Sequence, residues 1–111
     1  MYIRSGRLPP GDVVLDRTGI RFVWNRAKAE SNLRKHDVSF EVACDIFFDP
    51  FVRLLRSDML GGEEREAAIG MTEDWQLLVV VYTPRAESIR IISARPATSG
   101  ERIAYEEETA P

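Results

Sequence analysis

The sequence predicts an α+β fold: one domain in which helices pack on a mainly antiparallel sheet of about five strands. Three observations carry this expectation. At 111 residues the chain has room for a single core. Its apolar and alternating segments are short and are joined by brief turns, the pattern of β-hairpins. Helical patterns flank them, so that the predicted order is β-α-α-β-β-β-β-α.

Each element has its own signal. Met1–Gly19 carries Gly6, Pro9, Pro10, Gly11 and Gly19 without a sustained period. It reads as a flexible N-terminal extension (residues 1–19), within which Val13-Val14-Leu15 can pair briefly as an edge strand. Ile20–Trp24 alternates with aromatics and reads as a strand. Asn25 can cap a helix over about Arg26–His36, which Glu30 and Arg34 support as an i,i+4 pair. Ser39 can cap a short helix through Phe40, Ala43, Ile46 and Phe47. Asp49-Pro50 ends it, because the residue before proline avoids helical dihedrals. Four strands follow, at about Phe51–Arg56, Arg65–Met71, Gln76–Thr83 and Ser88–Arg95. Gly61-Gly62, Thr72-Glu73-Asp74 and Pro84–Glu87 make the turns between them. Leu77–Tyr82 is apolar at every position, as a central strand covered on both faces should be. Thr98-Ser99-Gly100-Glu101 has the form of a capping box and opens a last helix to about Glu108. The folded domain is therefore expected over residues 20–108, with 109–111 as a tail.

Composition narrows the function. The apolar share of 44% is that of an ordinary folded protein. A net charge of −3 is the wrong sign for a nucleic-acid binder, but phosphate affinity depends on where Lys and Arg lie. Residues 21–36 hold Arg21, Arg26, Lys28, Arg34 and Lys35 against Glu30 alone. Residues 101–108 hold Glu101, Glu106, Glu107 and Glu108 against Arg102. The molecule is electrically two-ended. Cys44 is the sole cysteine, which leaves no internal disulfide and points to a buried thiol in an intracellular protein. Met1–Gly11 lacks the apolar run of a signal peptide, and Leu77–Tyr82 is about a third of a membrane span. The expectation is a soluble cytoplasmic protein with no membrane partner.

Chemistry concentrates on the first helix. At about 100° per residue, Lys28, Asn32, Lys35 and His36 share an arc of ~100°, with Ala29 and Leu33 beside it as the apolar seam. His36 lies where the basic stripe meets the core, a position suited to a general acid or base. The plainer reading is a histidine complementing the helix dipole beside a solvated cationic face. Trp24, directly before the helix, is either a core residue or an indole placed to stack on a base. Tyr82 and Tyr105 carry the same two readings, packing or contact with a ligand. Arg65, Arg90, Arg95 and Arg102 form a second cationic group. By strict alternation Arg90 and Arg95 fall on opposite faces unless a bulge intervenes. Arg95, on the face of Ser93, is the better phosphate ligand, whereas Arg102 can simply pair with Glu106.

Several chemistries fall away. One cysteine and one histidine cannot assemble a structural zinc site. Gly61-Gly62 is followed by acids rather than by a phosphate-binding pattern. No nucleophile elbow presents a serine, although a Ser-His-Asp triad stays open. What remains is acid–base chemistry without metal or cofactor, stabilised by arginine. RNA suits it, because its 2′-hydroxyl is an internal nucleophile.

The residues also resemble a family. Phe22-Val23-Trp24, Lys28-Ala29, Asn32, Lys35-His36, Val38–Glu41 and Ala43 open the likeness. Gly62–Arg65, Ile69-Gly70, Leu78–Thr83, Ile89–Arg95, Ala97-Thr98, Glu101-Arg102 and Tyr105 continue it. In order and spacing they are similar to BrnT-type toxins over about residues 20–107. The resemblance implies a RelE-like fold, metal-independent RNA cleavage and inhibition of translation. It also implies neutralisation by a BrnA-type antitoxin in a heterotetramer of two toxins and two antitoxins, with operator DNA bound only through the antitoxin. Carried over by position, it implies an active surface at Trp24, Lys28, Lys35 or His36, Arg65 and Arg95. Two positions depart from the family pattern: Asp37, where glycine is common, and Glu66, where an aromatic often follows the arginine. The sequence reading is thus an endoribonuclease with His36, Lys28, Arg65 and Arg95 as catalytic residues and no metal. Trp24, Asn32, Lys35, Tyr82, Arg90, Arg102 and Tyr105 are its expected RNA contacts. The other reading is a non-catalytic RNA- or antitoxin-binding protein that keeps the fold without turnover.

Overall fold

Two tight turns shape the outer hairpins of the sheet. Thr18-Gly19 and Gly61-Gly62 each join residues paired directly across the turn, Arg17 with Ile20 and Leu60 with Glu63. All four turn residues have φ between 50° and 84°, the left-handed geometry that matches the twist of a two-residue hairpin. The computed structural model describes residues 10–109. Its strands are β1 (Asp12–Arg17), β2 (Ile20–Asn25), β3 (Arg53–Leu60), β4 (Glu63–Met71), β5 (Leu77–Pro84) and β6 (Ile89–Pro96). Its helices are α1 (Arg26–His36), α2 (Phe40–Ala43), which runs on into a 3₁₀ turn at Cys44–Phe48, and α3 (Ser99–Thr109).

The strands form one sheet in the order β1-β2-β6-β5-β4-β3. All neighbours are antiparallel except β2 and β6, which run parallel. This corrects the expectation of about five mainly antiparallel strands: the sheet is mixed and has six. The added strand comes from the segment read as flexible. Asp12–Arg17 pairs along all of β2, and Val13 and Leu15 reach the core. Residues 1–9 of the expected extension and 110–111 of the expected tail lie outside the described residues.

The two faces of the sheet have different covers. On one face Phe22, Trp24, Phe40, Ile46, Leu78, Val80 and Ile91 form the main core beneath α2 and the 3₁₀ turn. Each large apolar side chain buried there contributes roughly 1.5–3 kcal/mol. Gly70 lets β4 approach the turn, since a Cβ at that position would lie 2.7 Å from the Cβ of Ile46. Cys44 is part of this core, and its burial pushes the thiol up to about 12. On the other face Ile69, Leu77 and Val79 are covered by Tyr105 of α3. β5 is therefore apolar at successive positions because both of its faces are packed.

Helix α1 docks through a polar contact. Its N-cap is Asn25, whose Oδ1 accepts the Lys28 N–H at 3.0 Å. Its C-cap, Asp37, has φ 57° and donates its N–H to the Leu33 carbonyl at 2.9 Å. Between them Asn32 is buried against β6. β2 pairs with β6 only at Phe22–Ile89 and Val23–Arg90, so that edge of β6 lacks a strand partner farther along. Asn32 supplies one: Nδ2 donates to the Ala94 carbonyl at 2.9 Å and to the Val38 carbonyl at 3.0 Å. Its Oδ1 accepts the Ala94 N–H at 3.1 Å. The side-chain amide takes the place of a peptide group in the ladder.

Candidate functional site

The register shift in β6 decides which side chains meet. Val81 pairs with Ser93, whereas Tyr82 pairs with Ile91, so Ile92 is the extra residue of a bulge. Ile91 and Ala94 both enter the main core. Arg90, Ser93 and Arg95, each adjacent to one of them, therefore share the opposite face, the one that α3 covers in part. The bulge that strict alternation required is present.

That face carries aligned rows of side chains. One row runs Arg56, Ala67, Val81, Ser93 across β3, β4, β5 and β6. Arg65 sits opposite Asp58, and Arg90 opposite Thr83. Nearer α3, Ile69 and Val79 align with Arg95. Arg56 and Arg65 line a cleft of about 400 Å³ with Met59, Leu60, Ala67, Val81 and two carboxylates, Asp58 and Glu66. Lys28, Lys35 and His36 line a second cleft of about 190 Å³ with Ser31, Ile92 and Ser93. The bulge thus brings the hydroxyl of Ser93 to the basic stripe of α1.

Some of these cations are already engaged. Arg95 makes a two-pronged pair with Glu101, at 2.8 and 2.9 Å, and Glu101 also accepts the Thr98 N–H at 2.8 Å. The guanidinium, assisted by that N–H, holds the Glu101 carboxyl down at about 2, and Glu101 raises Arg95 in turn. Arg90 pairs with Asp12 of β1, and Arg102 approaches Glu106 at 3.6 Å. Lys28, Lys35, Arg56 and Arg65 make no ion pair among the described residues. The Nε of Arg65 is buried without a hydrogen-bond partner among those residues, an unsatisfied donor beside an open cleft. Among the described residues no three His, Cys, Asp or Glu side chains converge as a metal-binding group.

Four expected RNA contacts are taken up by packing instead. Trp24 is 2% exposed and meets Phe40 edge-on at 6.0 Å, so it presents no ring face to a base. Asn32 is occupied at the backbone of β6. Tyr82 lies on the main-core face and donates its hydroxyl to Glu66 at 2.8 Å; burial and that carboxylate raise the phenol above its usual range. Tyr105, on the buried side of α3, donates to Asp49 at 2.6 Å, which also accepts the Met71 N–H, and its phenol is raised for the same reasons. Glu66 accepts the Tyr82 hydroxyl and also lines the Arg56–Arg65 cleft, so this departure from the family pattern sets a carboxylate beside those cations. Asp37 occupies a left-handed cap, the geometry that explains a glycine at that position.

The sequence reading missed two residues. Arg56 falls just past the bulge between Leu54 and Arg56, and no periodicity shows that shift. Trp75, with a side chain 80% exposed, stands in the turn between β4 and β5. Its signal was a large aromatic placed among Thr72, Glu73, Asp74 and Gln76 in an otherwise polar turn.

Residues 24–101 match the family described as ribonuclease toxin, BrnT, of type II toxin–antitoxin system. A solved structure, that of the Brucella abortus ribonuclease toxin BrnT, is similar at 21% identity with a TM-score of 0.46. That likeness covers 68% of this chain and 94% of the other. Comparison with curated proteins finds no match. The matched stretch takes in α1, the whole of β3 to β6 and the capping box of α3, which together build the cationic face. By that match over more than two-thirds of its length, the chain belongs to the BrnT family of ribonuclease toxins of type II toxin–antitoxin systems.

Proposed function

We propose that the chain is a RelE-like endoribonuclease toxin that cuts RNA by 2′-hydroxyl attack, with no metal, and so inhibits translation in the cytoplasm. One observation carries the reading: unpaired cations from α1 (Lys28, Lys35) and from the sheet (Arg56, Arg65) share a surface whose edge is His36. Lys28 and Lys35 bind the backbone. The 2′-oxygen attacks the adjacent phosphorus as its proton passes to a base, and the P–O5′ bond breaks as that oxygen gains a proton. His36 is the group for either transfer. Arg65 stabilises the charge of the pentavalent phosphate, and Arg95 joins it on exchanging Glu101 for phosphate. The products are a 2′,3′-cyclic phosphate and a free 5′-hydroxyl. The partner is a BrnA-type antitoxin, bound two to two, which carries the operator contact.

Purified protein is expected to cut single-stranded RNA in excess chelator and to leave cyclic-phosphate ends. Cleavage that stops in chelator and returns with a divalent ion would overturn the mechanism. Expression is expected to arrest growth, relieved by the antitoxin. The closed pair of Arg95 with Glu101 favours a second reading, a binding protein without turnover. RNA binding with no cyclic-phosphate product would establish that reading instead.

A further inference from the structure

Trp75 is held where neither its backbone nor its side chain would rest on local grounds. Its φ is 63°, a true outlier for a bulky residue, and its indole stands in solvent. The loop that holds it is well bonded. Thr72 Oγ1 accepts the Gln76 N–H at 3.0 Å, the Thr72 N–H donates to the Gln76 carbonyl at 2.8 Å, and the Trp75 N–H donates to the Thr72 carbonyl at 3.1 Å. An outlier kept in place by its surroundings points to a use outside the fold.

The surroundings suggest that use. Trp75 lines a groove of about 340 Å³ together with His36, Arg102, Gln76 and Pro96. His36 also lines the Lys28–Lys35–Ser93 cleft, so the groove continues the cationic face around the end of α1. Arg102 meets its one carboxylate, Glu106, at 3.6 Å with both side chains about half exposed, a contact that a phosphate can displace. We infer that this groove is a nucleobase subsite for single-stranded RNA, in which a base stacks on Trp75 and its phosphate lies on Arg102. The inference rests on the ribonuclease reading above and names where the strand runs.

Charge favours RNA in this orientation over an acidic protein segment. Asp37 lines the groove, and Glu73 and Asp74 precede Trp75 on its loop, with Glu73 tied to Arg17. These carboxylates keep phosphate and acidic peptide off the loop side but leave a neutral base free to stack there. The exposed amide of Gln76 can hydrogen-bond the edge of that base.

The protein has two tryptophans, and Trp24 is buried, so solvent-accessible fluorescence reports Trp75. Titration with an uncleavable 2′-O-methyl RNA hexamer is expected to quench that signal, and Trp75→Leu to abolish the quench. Trp75→Ala should raise KM for cleavable RNA by about fivefold or more with kcat within about twofold, and Trp75→Phe should restore most of the loss. Trp75→Gly should bind RNA as weakly as Trp75→Ala while unfolding at a higher temperature, because glycine accepts a φ of 63°. RNA cleavage with an unquenched Trp75 and an unchanged KM in Trp75→Ala overturns this subsite and leaves the ribonuclease reading standing. The same holds if Trp75→Ala weakens only the antitoxin. If the wild type neither binds nor cuts RNA, both fall.

Discussion

At the scale of single residues, Glu101 has two roles. It closes the capping box of α3 with Thr98, and it occupies Arg95, the arginine expected to meet phosphate. Its folded pKa of about 2 lies below the ordinary 4.5, so the unfolded chain binds a proton more readily. Stability from this pair is therefore fully present above about pH 4.5 and is lost as pH falls towards 2. Glu101→Gln should be less stable than the parent at pH 7, with the gap closing between pH 4.5 and 2 in denaturant titrations. A gap independent of pH would show that the capping hydrogen bond, not the ion pair, carries the effect. The same variant frees Arg95, so its RNA affinity should rise.

At the scale of elements, the docking of α1 depends on one amide. Asn32→Ala removes three buried hydrogen bonds and leaves the N–H and C=O of Ala94 without partners. The expected cost is about 3 kcal/mol, read from the shift in a urea midpoint at constant slope. Loss of less than about 1 kcal/mol would mean that water replaces the amide. RNA cleavage should fall along with stability, because α1 carries Lys28, Lys35 and His36. Every helix and the four later strands were legible in the sequence, since caps, turns and alternation are local signals. The docking role of Asn32 was not legible. Its polar type and its place beside Lys28 and Lys35 suited an RNA contact, and only the end of the β2–β6 pairing creates the vacancy it fills.

At the scale of the whole molecule, the basic stripe of α1 with Arg65 and the acid-rich end of α3 are opposite poles of charge, and the proposed partner contacts follow from them. An antitoxin that occludes the RNA site must meet Lys28, Lys35 and Arg65, and an acidic or apolar segment is suited to them. Lys35→Glu should weaken RNA cleavage and antitoxin binding together, whereas Glu107→Lys, at an exposed site without an ion pair among the described residues, should change neither much. RNA affinity should fall with salt at a log–log slope of roughly −2 to −3, as for three or four phosphate contacts. Antitoxin affinity within about twofold of the parent in Lys35→Glu, alongside abolished cleavage, would place the antitoxin on a remote face.

The sequence by itself determined the class of the fold, the run of elements from Ile20 onward, the basic stripe of α1 and the family. Those depend on neighbours within a turn or a strand and on the order of short motifs. Tertiary structure decided which side chains were left for chemistry. Burial took Trp24, Tyr82 and Tyr105 into packing, and ion pairing occupied Arg90 and Arg95. Two bulges, at Leu54–Arg56 and at Ile92, turned Arg56 and Arg95 onto the face of Arg65. A one-residue shift in register reverses the face of every later side chain, and nothing in local composition records it.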